Sequence, residues 1–489
     1  MSDGSSGRTA RVGGAGGDGG DRHDAYAALR HANYRLFASG FLCSSTGLQM
    51  MGMALGWEVY ERTGDALMLG LVGLARALPV VVAALPAGHV IDRVDRRRVL
   101  IGTQGAFAVA AGLLALASWL GASVWVLIGL VSLAGVARTF NGPVRSSLLP
   151  DIVPGRDFAN AVTWNSGVFQ LSAMAGPLLA GVVIAWSGSA WVVYALTAGL
   201  CGVFAVTGVF IRPHTTRVAS EVRERLGEGV RRGLRHVWRE KTILSVITLD
   251  LFAVLFGGAT ALLPIYAKDI LEVGPVGLGW LRASPFLGAL VMALWLAHRP
   301  IRRGAGPLML WSVAGFGACT VVFGLSREVW LSVGALVALG ALDSVSVVIR
   351  HVLVQARTPR SLRGRVSSVN SVFIECSNEL GAFESGAVAK AFAGTLGVAG
   401  GAVVSVVSGG VGTMLVVACV AAAWPQIRRL DRLDEPMDGE GARCPSCDAC
   451  VPADRTAARP LGQGAGAEGP GVCASCGSEV LTTASAGRS

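Results

Sequence analysis

Apolar runs of about twenty residues alternate with short polar, arginine-rich segments along the 489-residue chain. About twenty apolar residues is the length an α-helix needs to cross the hydrocarbon core of a bilayer. The pattern predicts helices over 34–56, 68–90, 99–120, 123–143, 160–186 and 189–211. A second set is predicted over 242–267, 277–298, 307–326, 328–349, 366–389 and 402–424. Gly and Pro interrupt many of these runs, which membrane helices tolerate. The expected fold class is an all-α membrane protein with twelve transmembrane helices.

Polar positions between the runs set the expected orientation. One set of alternate loops carries Arg93, Arg96, Arg97 and Arg98, then Arg145 and Arg156, then the basic run from Arg212 to Lys241. It continues with Arg299, Arg302 and Arg303, then Arg357, Arg360, Arg363 and Arg365. The opposite loops offer Arg62, Lys268 and Arg327, with Lys390 near a helix end. By the positive-inside rule both termini are expected in the cytoplasm, with the chain multi-pass in the cytoplasmic membrane. The expected organisation is a disordered tail over 1–30, a six-helix bundle over 31–211, a basic linker over 212–241, a second bundle over 242–424 and a cytoplasmic tail over 425–489. Residues 1–24 lack an apolar core, so no cleavable signal peptide is expected.

The two sets of helices echo each other. Arg76-Ala77-Leu78-Pro79 recurs as Arg282-Ala283-Ser284-Pro285, 206 residues on. At a spacing of 205, Arg97-Arg98 meets Arg302-Arg303, Arg145 meets Arg350, Pro154 meets Pro359, and Asn165-Ser166 meets Asn370-Ser371. A nearly constant spacing predicts two six-helix repeats of parallel topology. Such repeats build alternating-access transporters with the binding site between the halves.

Composition agrees. Hydrophobic residues make up 52% and charged residues 15%, against about 25% charged in soluble domains. With a mean hydropathy of +0.55, a soluble enzyme, a disordered chain and a disulfide scaffold are all excluded. The net charge of +10 sits in short loops and not on one patch, so nucleic acid is not an expected partner. No G-x-x-x-x-G-K-[ST] loop occurs, which argues against ATP as the direct energy source. No nucleophile–base constellation suggests an enzyme. In the linker, Val218, Val222, Leu226, Val230, Leu234, Val237 and Trp238 recur every three or four residues, with arginines mostly off that stripe. This reads as a basic amphipathic helix on the inner lipid surface, or as a solvated linker helix.

After the second predicted helix comes Gly88-His89-Val90-Ile91-Asp92-Arg93-Val94-Asp95-Arg96-Arg97-Arg98. It resembles the signature loop of the major facilitator superfamily, G-x-x-x-D-R-x-x-R-R, with Asp95 where that family usually has Gly. The resemblance implies that Gly88, Asp92, Arg93, Arg96 and Arg97 form a cytoplasmic gate loop that joins helices in the outward-facing state. The second-half counterpart, His298-Arg299-Pro300-Ile301-Arg302-Arg303-Gly304, lacks the acid. Two further stretches, Leu55-Gly56-Trp57-Glu58-Val59-Tyr60-Glu61-Arg62-Thr63-Gly64 and Asn378-Glu379-Leu380-Gly381-Ala382-Phe383-Glu384-Ser385-Gly386, resemble the bacterial drug, macrolide and siderophore exporters of that superfamily. The resemblance covers roughly residues 30–430. It implies a proton-coupled secondary transporter that exports a hydrophobic or amphipathic small molecule as a monomer, with no cofactor for transport. Uptake by the same fold is the alternative direction, and a non-transporting sensor acting through the tail is the alternative class.

Ionisable residues inside spans are costly and mark function. The acids are Asp250, Asp343, Glu375, Glu379 and Glu384. Glu375 and Glu379, four apart, share a helix face, and two close carboxylates resist joint ionisation. Glu379 is therefore the first candidate for proton coupling, with Glu375, Asp343 and Asp250 beside it. Glu375 pairing with a loop arginine such as Arg365 is the structural alternative. Asp343 and Arg350, seven apart, read as an internal salt bridge. Arg138 wants a carboxylate across the bundle or an acidic substrate. Arg76 and Arg282, at equivalent places, suggest a shared structural or gating task. Asp250 faces the cavity or a neighbouring helix. Trp57, Trp164 and Phe169 are candidate cavity aromatics.

Five cysteines, Cys43, Cys201, Cys319, Cys376 and Cys419, lie singly in apolar runs and read as buried small hydrophobes. In the tail, Cys444, Cys447, Cys473 and Cys476 form two C-x-x-C pairs, the thiolate count of a structural zinc site, with Cys450 spare. Zinc is thus an expected tail ligand, with a disordered tail as the alternative.

Overall fold

Inside a bilayer no water satisfies backbone polar groups, so each apolar run must close its own hydrogen bonds as a helix. A computed structural model describes residues 24, 26–212, 234–235, 237–238, 240–299, 301, 303–358, 362–431, 471–472 and 479–480; the side chains of 81–93, 363–365, 368–369, 371–372, 429, 471–472 and 479–480 fall outside that description. The first six helices are α1 (Ala32–Thr63), α2 (Ala66–Arg93), α3 (Arg96–Trp119), α4 (Val124–Ile152), α5 (Phe158–Ser187) and α6 (Trp191–Phe210). Then come α7 (Lys241–Phe256), prolonged by irregular turns to Ile270, α8 (Gly274–His298), α9 (Ala305–Leu325) and α10 (Val329–Ala356). A final run, Arg363–Ala423, breaks at Gly397, whose φ of 75° and ψ of 168° leave the helical region. It therefore comprises α11 over 363–396 and α12 over 398–423, and a short α13 (Pro425–Arg429) follows. Most of the linker predicted over 212–241 lies outside the described residues.

Several helices run past their apolar cores. Helix α1 continues to Thr63 because Glu58 and Arg62, four apart, pair with each other instead of ending the helix. It stops at Gly64, which adopts φ 60° and donates its N–H to the Tyr60 carbonyl. Helix α4 continues through Pro143 and Pro150 to Ile152. Among the described residues nine stretches are long and apolar enough to cross a membrane, and one of them, Phe373–Ala423, spans the α11–α12 break.

Within the first half, α1 packs on α5 and α6, α3 on α4 and α6, and α2 on α4. In the second half, α8 packs on α10 and α9 on α10. Backbone approaches at Gly317–Gly410, Gly258–Gly381 and Gly409–Phe256 join α9 to α12, α7 to α11 and α7 to α12. Between the halves, α2 meets α11 and α5 meets α8.

The apolar core is divided unevenly between the two ends of the bundle. At the end away from the termini one continuous cluster unites both halves, including Met53, Trp57, Leu69 and Tyr194 with Leu263, Tyr266, Leu281 and Phe323. At the terminal end the halves have separate clusters. Tyr34, Phe37, Leu100, Leu148 and Phe204 hold the first, and Leu249, Met309, Ile349 and Leu353 hold the second. The two halves are thus joined at one end and parted at the other.

Candidate functional site

The α2–α11 seam needs glycine. A Cβ added at Gly70 would stand 3.0 Å from the Phe383 carbonyl, and one at Gly386 would stand 2.8 Å from the Ala66 carbonyl and 2.9 Å from Gly70. Such contacts let backbones approach as small residues do in membrane helices generally. One to two turns further along α2, the seam turns from apolar to charged.

There, Arg76 of α2 and Arg138 of α4 face Glu375 and Glu379 of α11. Arg138 Nη2 lies 2.9 Å from Glu375 Oε2, and its Nη1 lies 3.8 Å from Glu379 Oε1. Arg76 Nε lies 3.7 Å from the same Glu379 oxygen. Glu379 thus stands between two guanidiniums from the opposite half, with its side chain only 11% exposed, whereas Glu375 is 45% exposed. Arg76, Ala77, Val80, Glu375, Cys376 and Glu379 line a narrow cleft. Arg282 of α8 reaches toward α1, where a Cβ at Gly52 would be 3.7 Å from its guanidinium. It is close enough to Arg76 and Glu379 to feel both charges. Charges from α2, α4, α8 and α11 therefore converge on one carboxylate. Glu379 is thereby the anion that two cations of the other half share across the seam.

Other candidates find partners of their own. Glu375 pairs with Arg138, and the side chain of Arg365 lies outside the description. Arg350 pairs with Asp250 of α7, not with Asp343. Two helical turns separate Asp343 from Arg350 by about 10 Å along the axis, whereas Asp250 lies on a neighbouring helix. Asp343 is partly buried and has no ion pair among the described residues. Trp164 packs at the terminal end, with its ring 5.8 Å from that of Tyr26. Trp57 belongs to the core shared by both halves, and Phe169 is exposed.

In the signature loop, Asp95 caps α3 by accepting from the Arg97 N–H at 2.8 Å, which accounts for an acid at that position. Arg96 donates to Asp151 at 2.7 Å and to the Ser147 carbonyl. Arg97 donates to the carbonyls of Gly208 and Val209. All these partners belong to the first six helices. The side chains of Gly88, Asp92 and Arg93 lie outside the description, as do Cys444, Cys447, Cys473 and Cys476. Among the described residues no group of three or more His, Cys, Asp or Glu could hold a metal.

Two features escaped the sequence reading. Glu58, 4% exposed, accepts from Ser118 at 2.5 Å and from Tyr194 at 2.7 Å beside its Arg62 partner, tying α1 to α3 and α6. Its spacing to Arg62 was the available signal. At the same end, Lys390 of α11 reaches Asp65 before α2 at 2.7 Å, and Tyr60 of α1 donates to Asp269 beyond α7. Both contacts join the halves.

The Asp250–Arg350 pair is nearly buried, at 12% and 5% side-chain exposure. Asp250→Asn alone should destabilise the protein by about 3–5 kcal/mol, because it strands a buried guanidinium. Asp250→Asn with Arg350→Met should recover much of the loss. Thermal unfolding in detergent reads both.

Comparison with known proteins gives the same picture. Residues 23–436 match the family described as transmembrane secretion effector. The chain is 28% identical over 418 residues to the multidrug efflux pump Tap of Mycolicibacterium fortuitum, covering 82% of this chain and 97% of that protein. It is 22% identical over 392 residues to macrolide efflux protein A of Streptococcus pyogenes, covering 79% and 93%. The staphyloferrin A transporter of Staphylococcus aureus is 30% identical over 151 residues, covering 30% of this chain and 38% of that one. In fold, a variant of the nucleoside transporter NupG superposes with a TM-score of 0.64 at 12% identity, covering 80% of this chain and 99% of that chain. A bacterial homologue of the lysosomal transporter Spinster, in an inward-facing and occupied conformation, gives 0.63 at 14% identity, covering 81% and 97%. The chain belongs to the transmembrane secretion effector family of the major facilitator superfamily: it is a multi-pass membrane transporter and not an enzyme.

Proposed function

We propose that this chain is a proton-coupled exporter of hydrophobic or amphipathic small molecules, working by alternating access in the cytoplasmic membrane with both termini inside. The observation that carries the proposal is the cluster of Arg76, Arg138, Glu375 and Glu379 between the halves. Ionisable groups at such depth are too costly to keep without a task, and coupling to a proton is the task their geometry allows.

Helices α1–α6 and α7–α12 act as two repeats. The pairings of α1 with α5 and α6, α2 with α4, and α3 with α4 and α6 recur six helices on, which supports this reading. With arginine-rich loops inside, the parted end is the cytoplasmic one. The conformation is then inward-facing, with the gate-loop arginines Arg96 and Arg97 engaged, among the described residues, inside their own half. In that state Glu379 has given its proton to the interior and is held by Arg76 and Arg138. Substrate enters from the cytoplasm, the halves rock, and Glu379 takes a proton from outside before the return. The names of the similar proteins, an efflux pump for multiple drugs, one for macrolides and a staphyloferrin A transporter, support export of this substrate range.

The test is accumulation of a panel of dyes, macrolides and siderophores in everted vesicles. Uptake that collapses with the proton gradient is expected, and uptake indifferent to the gradient overturns the proposal. Deleting 440–489 should leave that uptake intact. The outer pair Asp65–Lys390 has a half-exposed lysine, at 52%. Exposed pairs contribute about 0.2–1 kcal/mol, so Lys390→Gln should change uptake by no more than about fivefold, less at high salt.

A further inference from the structure

The two halves treat one matched arginine differently. At the 205-residue spacing that relates the halves, Arg145 of α4 matches Arg350 of α10. Arg350 is neutralised by Asp250 of α7. At the same spacing the residue matching Asp250 is Ser45 of α1, which carries no charge. Arg145 instead lies over the Phe41 ring, 4.1 Å from its centroid, and its Nε donates to the Asn141 carbonyl at 3.3 Å. A ring face attracts a guanidinium without cancelling its charge. Among the described residues Arg145 has no carboxylate partner.

Arg145 lies at the parted terminal end, over a ring of α1 that belongs to the first half's cluster there. Phe41 and Gly52 are eleven residues apart, three turns of α1, and so share a face. At Gly52 that face meets Arg282 of the other half, while at Phe41 it lies at the parted terminal end. On α4, Arg138 and Arg145 are seven apart and also share a face. Between them Gly142 is exposed, and a Cβ there would meet nothing within 4 Å. The face of α4 between Arg138 and Arg145 is thus uncrowded at Gly142. Among the described residues, Glu375 and Glu379 are engaged by Arg76 and Arg138, and neither pairs with Arg145.

We propose that Arg145 is the anchoring cation for the acid group of an amphipathic organic anion, which lies against α4 over Gly142. The inference rests on the exporter reading and narrows its substrate class from hydrophobic molecules at large to acid-bearing ones. A guanidinium offers paired N–H donors that match a carboxylate, and such charge-assisted bonds are stronger than neutral ones. A lipophilic cation meets repulsion at the same place.

The probes are 1-pyrenebutyrate, the neutral 1-pyrenebutanol and a 1-pyrenealkylammonium, bound to the full chain in nanodiscs and followed by fluorescence anisotropy. The butyrate should bind at least about tenfold more tightly than the alcohol, which is about 1.4 kcal/mol, and the ammonium more weakly than either. Arg145→Gln should reduce the butyrate to the alcohol's affinity and leave the alcohol unchanged, while Arg145→Lys keeps part of the preference. Ser45→Asp, which rebuilds in the first half the pair present in the second, should also abolish the preference with Arg145 still in place. Equal affinities for butyrate and alcohol in the wild type, a preference that survives both Arg145→Gln and Ser45→Asp, or no binding of the butyrate overturns the proposal. Gradient-driven uptake of neutral compounds in vesicles reads the exporter reading separately: if it persists while the butyrate preference is absent, only the anion site falls. If the preference is present but no compound moves with the gradient, only the exporter reading falls.

Discussion

Glu379→Gln is expected to lower proton-driven accumulation in everted vesicles by on the order of a hundredfold or more, the scale of a lost proton-transfer group. The amide keeps the shape of the side chain and one acceptor for Arg76 and Arg138, so the protein should still fold. What it removes is the charge that two guanidiniums from the first half share across the seam. Exchange of substrate for substrate without a gradient should persist, because it needs rocking of the halves but no net proton transfer. Glu375→Gln should cost far less. Its side chain is half-exposed and among the described residues forms an ion pair with Arg138, so water can replace it. Equal losses in the two variants would move the coupling from one carboxylate to the pair.

The second large effect is expected at the closed end of the bundle. Gly386→Val places a branched side chain where a single Cβ would already lie 2.8 Å from the Ala66 carbonyl. Backbone atoms cannot give way as a side-chain tip can, so α2 and α11 must separate. Overpacking of this kind costs about 1–3 kcal/mol, enough to shift a two-state balance by about fivefold to a hundredfold. The variant should fold but lose the joined end, and uptake should fall roughly in proportion. Spin labels at the ends of α2 and α11 beside Gly386 should report longer distances than in the wild type. A matched change at the parted end has no such effect expected: at Gly102 and Gly105, a Cβ would meet nothing within 4 Å.

Much of the fold was legible because lipid imposes a simple rule, one helix per apolar run. Its errors have physical causes. Helix α1 outran its predicted end at 56 because Glu58 and Arg62 neutralise each other inside the helix, and hydropathy counts them as loop residues. The predicted gap between the last two spans narrowed to one residue, Gly397, since apolar sequence continues through the break. The site was partly legible. An isolated Arg138 called for a carboxylate across the bundle or an acidic substrate, and the structure supplies Glu375, a partner that the spacing did not name. Which acid neutralises Arg350 was not legible, because sequence spacing records neighbours along one helix and not across two. Asp95 looked like a departure from the signature loop and proves to be the cap of α3.

The central claim is that proton movement and substrate movement are obligately opposed. Proteoliposomes holding the purified protein and an internal pH dye, with no imposed pH gradient, test it most directly. A gradient of whichever panel compound the wild type accumulates is applied, and internal pH is followed as the compound crosses. The account predicts protons moving against the compound in the wild type and no proton movement in Glu379→Gln. Substrate flux with no pH change in the wild type, or the same pH change in the variant, would contradict it.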